Sequence, residues 1–330
     1  MNKFDTNKLK KIAVFTSGGD APGMNAAIRA TVRMAIYKNL EVFGIYQGYQ
    51  GMLDNQIEPL NLGSMANVIQ RGGTVLKAGR CQNFLKPEFR KIAAQNLKVQ
   101  GIDGLICIGG DGSFRGAKAL WDEHQIPIVG VPGTIDNDIN GSEYTIGFDT
   151  AVNTAMEAID KIRDTAASHD RLFIVEVMGR NTGYIAIEVG LAGGAEEVIF
   201  PENPFNLEKV INKIQHGIDR GKKSSILVTA EGDKPGYAYD LAEQLKQKAN
   251  FDAKVCILGH VQRGGSPTAL DRMIASRLAA QAVLSLLDGN CNHMIALQGT
   301  SYVNVSFDEA IQKKPFTYKG LLDLVDILSQ

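Results

Sequence analysis

Leu105-Ile106-Cys107-Ile108-Gly109-Gly110-Asp111-Gly112-Ser113 is the stretch on which the fold turns. Its first four residues are apolar without alternation, the pattern of a strand buried on both faces, and such strands belong to parallel sheets covered by helices. Glycines and an aspartate follow, so the backbone can approach a phosphate closely and one carboxylate can hold a hard cation through oxygen. A helix is then expected from Phe114 to His124. The next apolar run, Pro127 to Val131, breaks at Pro132-Gly133 and leads into Thr134-Ile135-Asp136-Asn137-Asp138. Ligands of open parallel sheets bind beyond the carboxyl ends of the strands, and both loops leave such ends. Two aspartates this close repel each other and call for a cation or a shared proton nearby. One can serve as a base while the other helps hold a metal-bound reactant. Asp-Asn-Asp is also ordinary turn chemistry, so the loop takes its meaning from its neighbours.

Upstream, Lys11 to Thr16 is a β-rich apolar run, followed at once by Ser17-Gly18-Gly19-Asp20-Ala21-Pro22-Gly23-Met24-Asn25. Asn25 is expected to cap a helix through Ile28, Val32 and Ile36 that ends near Asn39. Strand, glycine loop and helix together make an anion site, because free N–H groups and the helix dipole converge there. The spacing fits neither GxGxxG nor a Walker A loop, so a Rossmann dinucleotide site is not supported. Glu41 to Tyr46 reads as a second strand. A loop with Gly48 and Gly51 is expected next, then a helix ending at Arg71-Gly72-Gly73. Arg80 falls in a segment without periodicity, and Pro87 opens a helix that ends at Gln100-Gly101.

Downstream, strands are expected from Leu172 to Val177, Val198 to Phe200, Ser225 to Ala230 and Val255 to Leu258. Helical patterns alternate with them, from Gly147 to Ser168, Thr182 to Leu191, Leu207 to Arg220 and Tyr239 to Ala249. A long helix from Thr268 to Leu287, two short strands and a helix close the chain. This alternation gives an α/β fold with parallel sheets. Gly217 to Ser224 superficially resembles a P-loop, but its glycines are one residue too close. It also follows a helix and precedes a strand, the reverse of what that motif requires.

At 330 residues the chain is long enough for two lobes with cores of their own. Its 35 basic and 36 acidic residues leave a net charge of −1, which argues against a nucleic-acid or membrane surface. Cys81, Cys107, Cys256 and Cys291 show no CxxC spacing, so a reducing compartment and no zinc are expected. Met1 to Lys11 is polar and charged, which gives no expectation of a signal peptide, and no apolar run approaches the ~18 residues of a membrane helix. A soluble, cytoplasmic protein is expected.

Sorted by chemistry, the candidate residues comprise two phosphate-type glycine loops, the strand-end carboxylates Asp111, Asp136 and Asp138, and the arginines Arg80, Arg171, Arg180 and Arg263. His260 shares a strand-end loop with Arg263, which favours binding of an anionic group. Together they fit phosphoryl transfer onto a phosphorylated hydroxyl compound.

Five motifs in this order resemble the bacterial-type ATP-dependent 6-phosphofructokinases: Thr16 to Asn25, Gly109 to Ser113, Pro132 to Asp138, Val177-Met178-Gly179-Arg180, and Gly259-His260-Val261-Gln262-Arg263-Gly264-Gly265-Ser266-Pro267. The resemblance implies an α/β fold of two lobes, each a parallel-rich sheet flanked by helices. A nucleotide-binding lobe would comprise 1–147 plus 260–312, and a sugar-phosphate lobe 148–259 plus 313–330. It implies phosphorylation of fructose 6-phosphate on its 1-hydroxyl to fructose 1,6-bisphosphate, a glycolytic step. Asp136 matches the base, with Asp138 and Arg180 beside it in catalysis. Gly19, Arg80, Cys81 and Gly110 to Ser113 (Gly110, Asp111, Gly112, Ser113) match the ATP site, and Asp111 the Mg²⁺ site. Thr134, Ile135, Asp136, Met178, Gly179, Arg180, Glu231, His260, Val261, Gln262 and Arg263 match sugar-phosphate contacts. Arg171 and Lys254 match contacts from a neighbouring subunit, implying a homotetramer. Arg29, Arg33, Arg163, Gly194, Ala195, Glu196, Arg220, Lys222, Lys223 and Ser224 match an effector site that binds ADP or phosphoenolpyruvate.

Several positions depart from the family. Lys254 stands where arginine is usual, which keeps the charge but loses a bidentate grip. Cys81 replaces an aromatic beside the adenine, Leu62 replaces an effector-site arginine, and Ser224 replaces a histidine common there. The alternatives are a pyrophosphate-dependent phosphofructokinase and a non-catalytic sugar-phosphate sensor. The pyrophosphate branch tends to carry a bulkier acidic residue at Gly112 and lysine at Gly133, and glycine at both favours ATP. Intact Asp111, Asp136 and Asp138 argue against the sensor.

Overall fold

Apolar strands with no polar face need cover on both sides, and the computed structural model supplies it twice. It describes residues 2–169, 171–203, 205–232 and 235–329. The chain divides into two units, Met1–Asp149 with Arg263–Lys314, and Thr150–Gln262 with Pro315–Gln330. The first holds a seven-stranded sheet ordered Ser301–Ser306, His293–Gln298, Ile128–Pro132, Gly104–Gly109, Lys11–Ser17, Glu41–Ile45, Ile57–Leu60. Its five middle strands are parallel, and an antiparallel strand closes each edge. Every residue of Gly104–Gly109 is buried, as its unbroken apolar run requires.

The register aligns Gly109 with Ser17 on one side and Pro132 on the other. Both motif loops and the first glycine loop therefore leave the same end of three adjacent strands. Helices Met24–Tyr37 and Ala269–Leu287 pack against one another in this unit.

The elements differ most from the sequence reading in three places. Gly48–Leu53 is a helix, not a loop, entered so tightly that a Cβ on Gly51 would lie 1.7 Å from the Tyr46 carbonyl oxygen. The helix expected to end at Arg71 is absent. Ile57–Leu60 instead pairs antiparallel with Glu41–Ile45, and the Asn61 side chain then accepts from the Ser64 N–H at 3.0 Å to start a run of turns. Asn25 does not cap its helix, which begins at Met24 behind a left-handed Gly23 (φ 102°). Its amide donates to the carbonyls of Arg71 at 3.0 Å and Gly72 at 3.2 Å and accepts from the Val75 N–H at 2.7 Å, fastening that distant segment.

The second unit is built on a four-stranded, wholly parallel sheet ordered Ala253–Ile257, Leu172–Val177, Ser225–Ala230, Glu197–Ile199. Leu172, Ile174 and Leu227 pack with Ile214, Leu241 and Leu245 in its core. Glu176 is buried in this sheet, and its carboxylate accepts the N–H groups of Gly236 and Ala238, both at 2.8 Å, where helix Tyr237–Ala249 begins. Those amides have no partner within the helix. Glu176→Ala is therefore expected to cost about 3 kcal/mol, given ~1.5–3 kcal/mol for each charged hydrogen bond. The melting midpoint should drop by roughly 6–12 °C in thermal denaturation; an unchanged midpoint would mean that the carboxylate does not hold this helix.

Among the described residues no helix is long and apolar enough to cross a membrane. All four cysteines are free, and burial pushes the thiols of Cys107 and Cys291 up to about 12, which leaves them inert packing groups at neutral pH.

Candidate active site

In the first unit the predicted residues converge at the carboxyl ends of Lys11–Ser17, Gly104–Gly109 and Ile128–Pro132. Gly109 has no room for a side chain, since a Cβ would meet Ser113 Oγ at 2.4 Å and the Ser17 carbonyl at 2.6 Å. The two glycine loops are thus in mutual contact. Arg263 joins them: its Nη1 donates to the Asp20 carbonyl at 3.2 Å and lies where a Cβ of Gly19 would be, 2.5 Å away. The Arg80 segment is drawn in through its neighbour, because the Gly18 N–H donates to the Gly79 carbonyl at 3.4 Å. Thr16 Oγ1 also donates to the Lys77 carbonyl at 2.8 Å. Cys81 gives its S–H to Gln50 Oε1 at 3.2 Å and presents no aromatic face.

Helix Asp111–His124 starts three residues before the expected Phe114, which puts Asp111 in its first turn. There a negative charge suits the helix dipole. The carboxylate is open to solvent and lies 3.6 Å from Arg115 Nε. A Cβ on Gly112 would meet nothing within 4 Å, whereas one on Gly133 would press on Ile108 at 3.1 Å and Met24 at 3.2 Å. Asp136 is buried, with its N–H on Thr134 Oγ1 at 3.2 Å. Thr134 is itself pinned, as its carbonyl accepts from Thr145 Oγ1 at 2.6 Å. Asn137 adopts a left-handed φ of 50°, and its amide closes the loop on the Glu143 carbonyl at 2.9 Å. Asp138 follows, half-buried.

Among the described residues no three His, Cys, Asp or Glu side chains converge into a metal cage. A lone exposed carboxylate still fits Mg²⁺, which keeps several waters and binds through one or two carboxylates plus substrate phosphates.

The second unit gathers its own set. Met178 offers its N–H to Gln262 Oε1 at 2.8 Å, and the Gln262 amide donates to the Ala151 carbonyl at 3.2 Å. Gln262 is fully buried, so it braces this strand end and does not face solvent, unlike His260 and Val261. The Gly179 carbonyl accepts both the N–H and Oγ1 of Thr182 at 2.9 Å. This tight turn holds Arg180 exposed at a left-handed φ of 50°, a conformation that a non-glycine residue adopts only under constraint. Glu231 bonds its N–H to the Val177 carbonyl at 2.9 Å and lines a cavity of about 680 Å³ with Thr229, Phe200, Phe205 and Tyr237.

The phosphofructokinase sequence profile matches residues 11–286. The chain belongs to the phosphofructokinase family. The ATP-dependent 6-phosphofructokinase 1 of Thermus thermophilus is 53% identical over 321 residues, covering 97% of this chain and 100% of its own. The ATP-dependent 6-phosphofructokinase of Bacillus mycoides is 52% identical over the same span. Among solved structures, phosphofructokinase from Saccharomyces cerevisiae superposes with a TM-score of 0.85 at 33% identity over 97% of this chain. This chain spans 46% of the yeast one. A pyrophosphate-dependent phosphofructokinase from Marinobacter aquaeolei gives 0.83 at 22% identity, over 96% of this chain and 91% of its own, which speaks for the fold alone.

On this phosphofructokinase chain the residues matched to an effector site fall in both units. In the second, Arg163 donates to the carbonyls of Gly193 and Gly194, and buried Glu196 pairs with Lys222 while accepting the Ile226 N–H. Ala195 is buried beside them, and Arg220 and Lys223 are exposed. In the first, Arg29 and Arg33 stand one turn apart on helix Met24–Tyr37, and Leu62 is 47% exposed. Arg171, Lys222, Lys223, Ser224 and Lys254 share a second-unit cavity of about 340 Å³ with Asp252. The Lys254 ammonium, 2.8 Å from Asp252, holds that carboxyl below the usual carboxylate range.

Sequence reasoning overlooked two residues near the first-unit cluster. Tyr49 is buried, donates its hydroxyl to the Ser113 carbonyl at 2.5 Å and stacks on Phe84 with centroids 4.0 Å apart. The second is Lys314, whose ammonium donates to the Asn137 carbonyl at 2.9 Å. Neither carries a local motif.

Proposed function

We propose that this chain transfers the γ-phosphoryl group of ATP to the 1-hydroxyl of fructose 6-phosphate, giving fructose 1,6-bisphosphate and ADP. The observation that carries this reading is the open space at Gly112, in the same strand-end cluster as Asp111, Asp136 and the two glycine loops. The ATP-dependent relatives at 53% identity support it. Asp136 takes the hydroxyl proton as O1 attacks the γ-phosphorus, and the bond to the bridging oxygen of ADP breaks. Gly19 and Gly110 to Ser113 cradle the phosphates with backbone N–H groups, Arg80 supports the nucleotide, and Asp138 and Arg180 attend the transferring group. Thr134, Ile135, Met178, Gly179, Glu231, His260, Val261 and Arg263 orient the sugar phosphate, while Gln262 braces that set. Asp111 would hold Mg²⁺, which supplies charge neutralisation on the phosphates. The protein acts in the cytoplasm as a homotetramer, with Arg171 and Lys254 reaching a neighbouring subunit's sugar site. A coupled assay for ADP release with fructose 6-phosphate tests the reading, and no ADP above the sugar-free rate would refute it.

Lys254→Ala is expected to raise the half-saturating fructose 6-phosphate concentration about tenfold and leave kcat nearly unchanged, the signature of lost uniform binding. The effect sits at the low end for a charged hydrogen bond because Asp252 competes for the ammonium. Unchanged sugar affinity would place Lys254 outside the site.

The effector site is proposed to bind anions but to respond poorly to millimolar phosphoenolpyruvate. Leucine at position 62 supplies no phosphate contact, and losing one charged hydrogen bond weakens an anion by roughly ten- to hundredfold. Sugar saturation curves with phosphoenolpyruvate or ADP should shift little in the wild type and more in Leu62→Arg. A large wild-type shift at sub-millimolar effector, abolished by Arg163→Ala, would overturn this.

A further inference from the structure

The loop bearing Asp136 and Asp138 reverses direction over residues 137–143, and its closure depends on a residue from far along the chain. Asn137, left-handed and fully buried, turns its amide onto the Glu143 carbonyl. Lys314, the last residue of the first unit, donates its ammonium to the Asn137 carbonyl at 2.9 Å and the Glu143 carbonyl at 3.4 Å. One cation thus joins both ends of the reversal. The preceding residue, Lys313, forms an antiparallel bridge with Ile139, and the Asn140 amide reaches the Glu309 carbonyl at 3.1 Å, so the Lys314 backbone is itself anchored.

The ammonium holds the peptide that joins Asn137 to Asp138, between the two aspartates. A left-handed φ is unfavourable for a side chain other than glycine, so the turn between the two aspartates needs its amide and carbonyl tied down, as Glu143 and Lys314 tie them. A charged donor holds that carbonyl more strongly than a neutral one.

We infer that Lys314 is a positioning residue for phosphoryl transfer, holding Asp136 and Asp138 through the Asn137 carbonyl. This rests on the proposed kinase activity, and the wild-type assay separates the two claims. A wild type that releases no ADP with fructose 6-phosphate overturns the functional reading and this inference with it. With an active wild type, the test is steady-state kinetics and thermal melting of Lys314→Met and Lys314→Arg. For Lys314→Met, kcat should fall about ten- to hundredfold, with Michaelis constants for both substrates within about threefold of wild type. Lys314→Arg should recover most of kcat, which generic destabilisation would not predict. A Met variant with kcat within twofold of wild type, or one that loses sugar or ATP affinity instead, overturns the inference. If the Met variant does not fold, Lys314→Gln takes its place, as a neutral side chain that can still donate to the carbonyl. A kcat at least fivefold below that of Lys314→Arg at unchanged Michaelis constants supports the positioning role, and equal kcat values refute it.

Discussion

Asp136→Asn is expected to lower kcat by about 10²–10⁴-fold while leaving the Michaelis constants for sugar and nucleotide nearly unchanged. The substitution keeps the size and shape of a side chain that is 4% exposed. The hydrogen bonds that shape the backbone here are made by other groups. The Asp136 N–H rests on Thr134 Oγ1, the Thr134 N–H on the Ile146 carbonyl, and Thr145 on the Thr134 carbonyl. What the amide lacks is a site for the hydroxyl proton. A general base acts in the transition state and hardly at all in ground-state binding, so its loss falls on kcat. Steady-state kinetics of the purified variant, with melting as a check on folding, measures this. A kcat within about threefold of wild type would remove Asp136 from the role, since base catalysis is worth far more than that.

How far the sequence could be read followed the range of the interactions involved. Strands such as Leu105 to Ile108 and Leu172 to Val177 were legible because burial on both faces leaves an unbroken apolar run. The glycine loops and aspartates were legible because phosphate and cation chemistry demands those residue types at strand ends, and the parallel register brings the ends together. Residues 46 to 75 were misread because Gly48 and Gly51 signal a loop, whereas here they admit a helix hard against the Tyr46 carbonyl. Asn25 was misread for a related reason. An asparagine near a helix start is ordinarily a cap, and its real partners lie 46 to 50 residues away. Lys314 lies beyond any local reading, since its partner is 177 residues upstream. The backing of Gly19 by Arg263 is likewise a tertiary fact, although both residues were legible separately as anion-binding candidates.

Fold similarity is silent on the choice of phosphoryl donor, because a pyrophosphate-dependent phosphofructokinase superposes on this chain about as well as the yeast phosphofructokinase does. Two glycines speak to it. At Gly112 a Cβ would meet nothing within 4 Å, so no side chain occupies the space beside Asp111. At Gly133 a side chain would first have to displace Ile108 and Met24, so the local packing is built for glycine. ATP carries a nucleoside whose binding pyrophosphate cannot supply, and such remote binding energy can be used to orient the transferring group. The decisive measurement is fructose 1,6-bisphosphate formation from fructose 6-phosphate and Mg²⁺, with ATP and pyrophosphate compared side by side. We predict that kcat/KM with ATP exceeds that with pyrophosphate by at least about a hundredfold. Equal or greater kcat/KM with pyrophosphate would contradict the account.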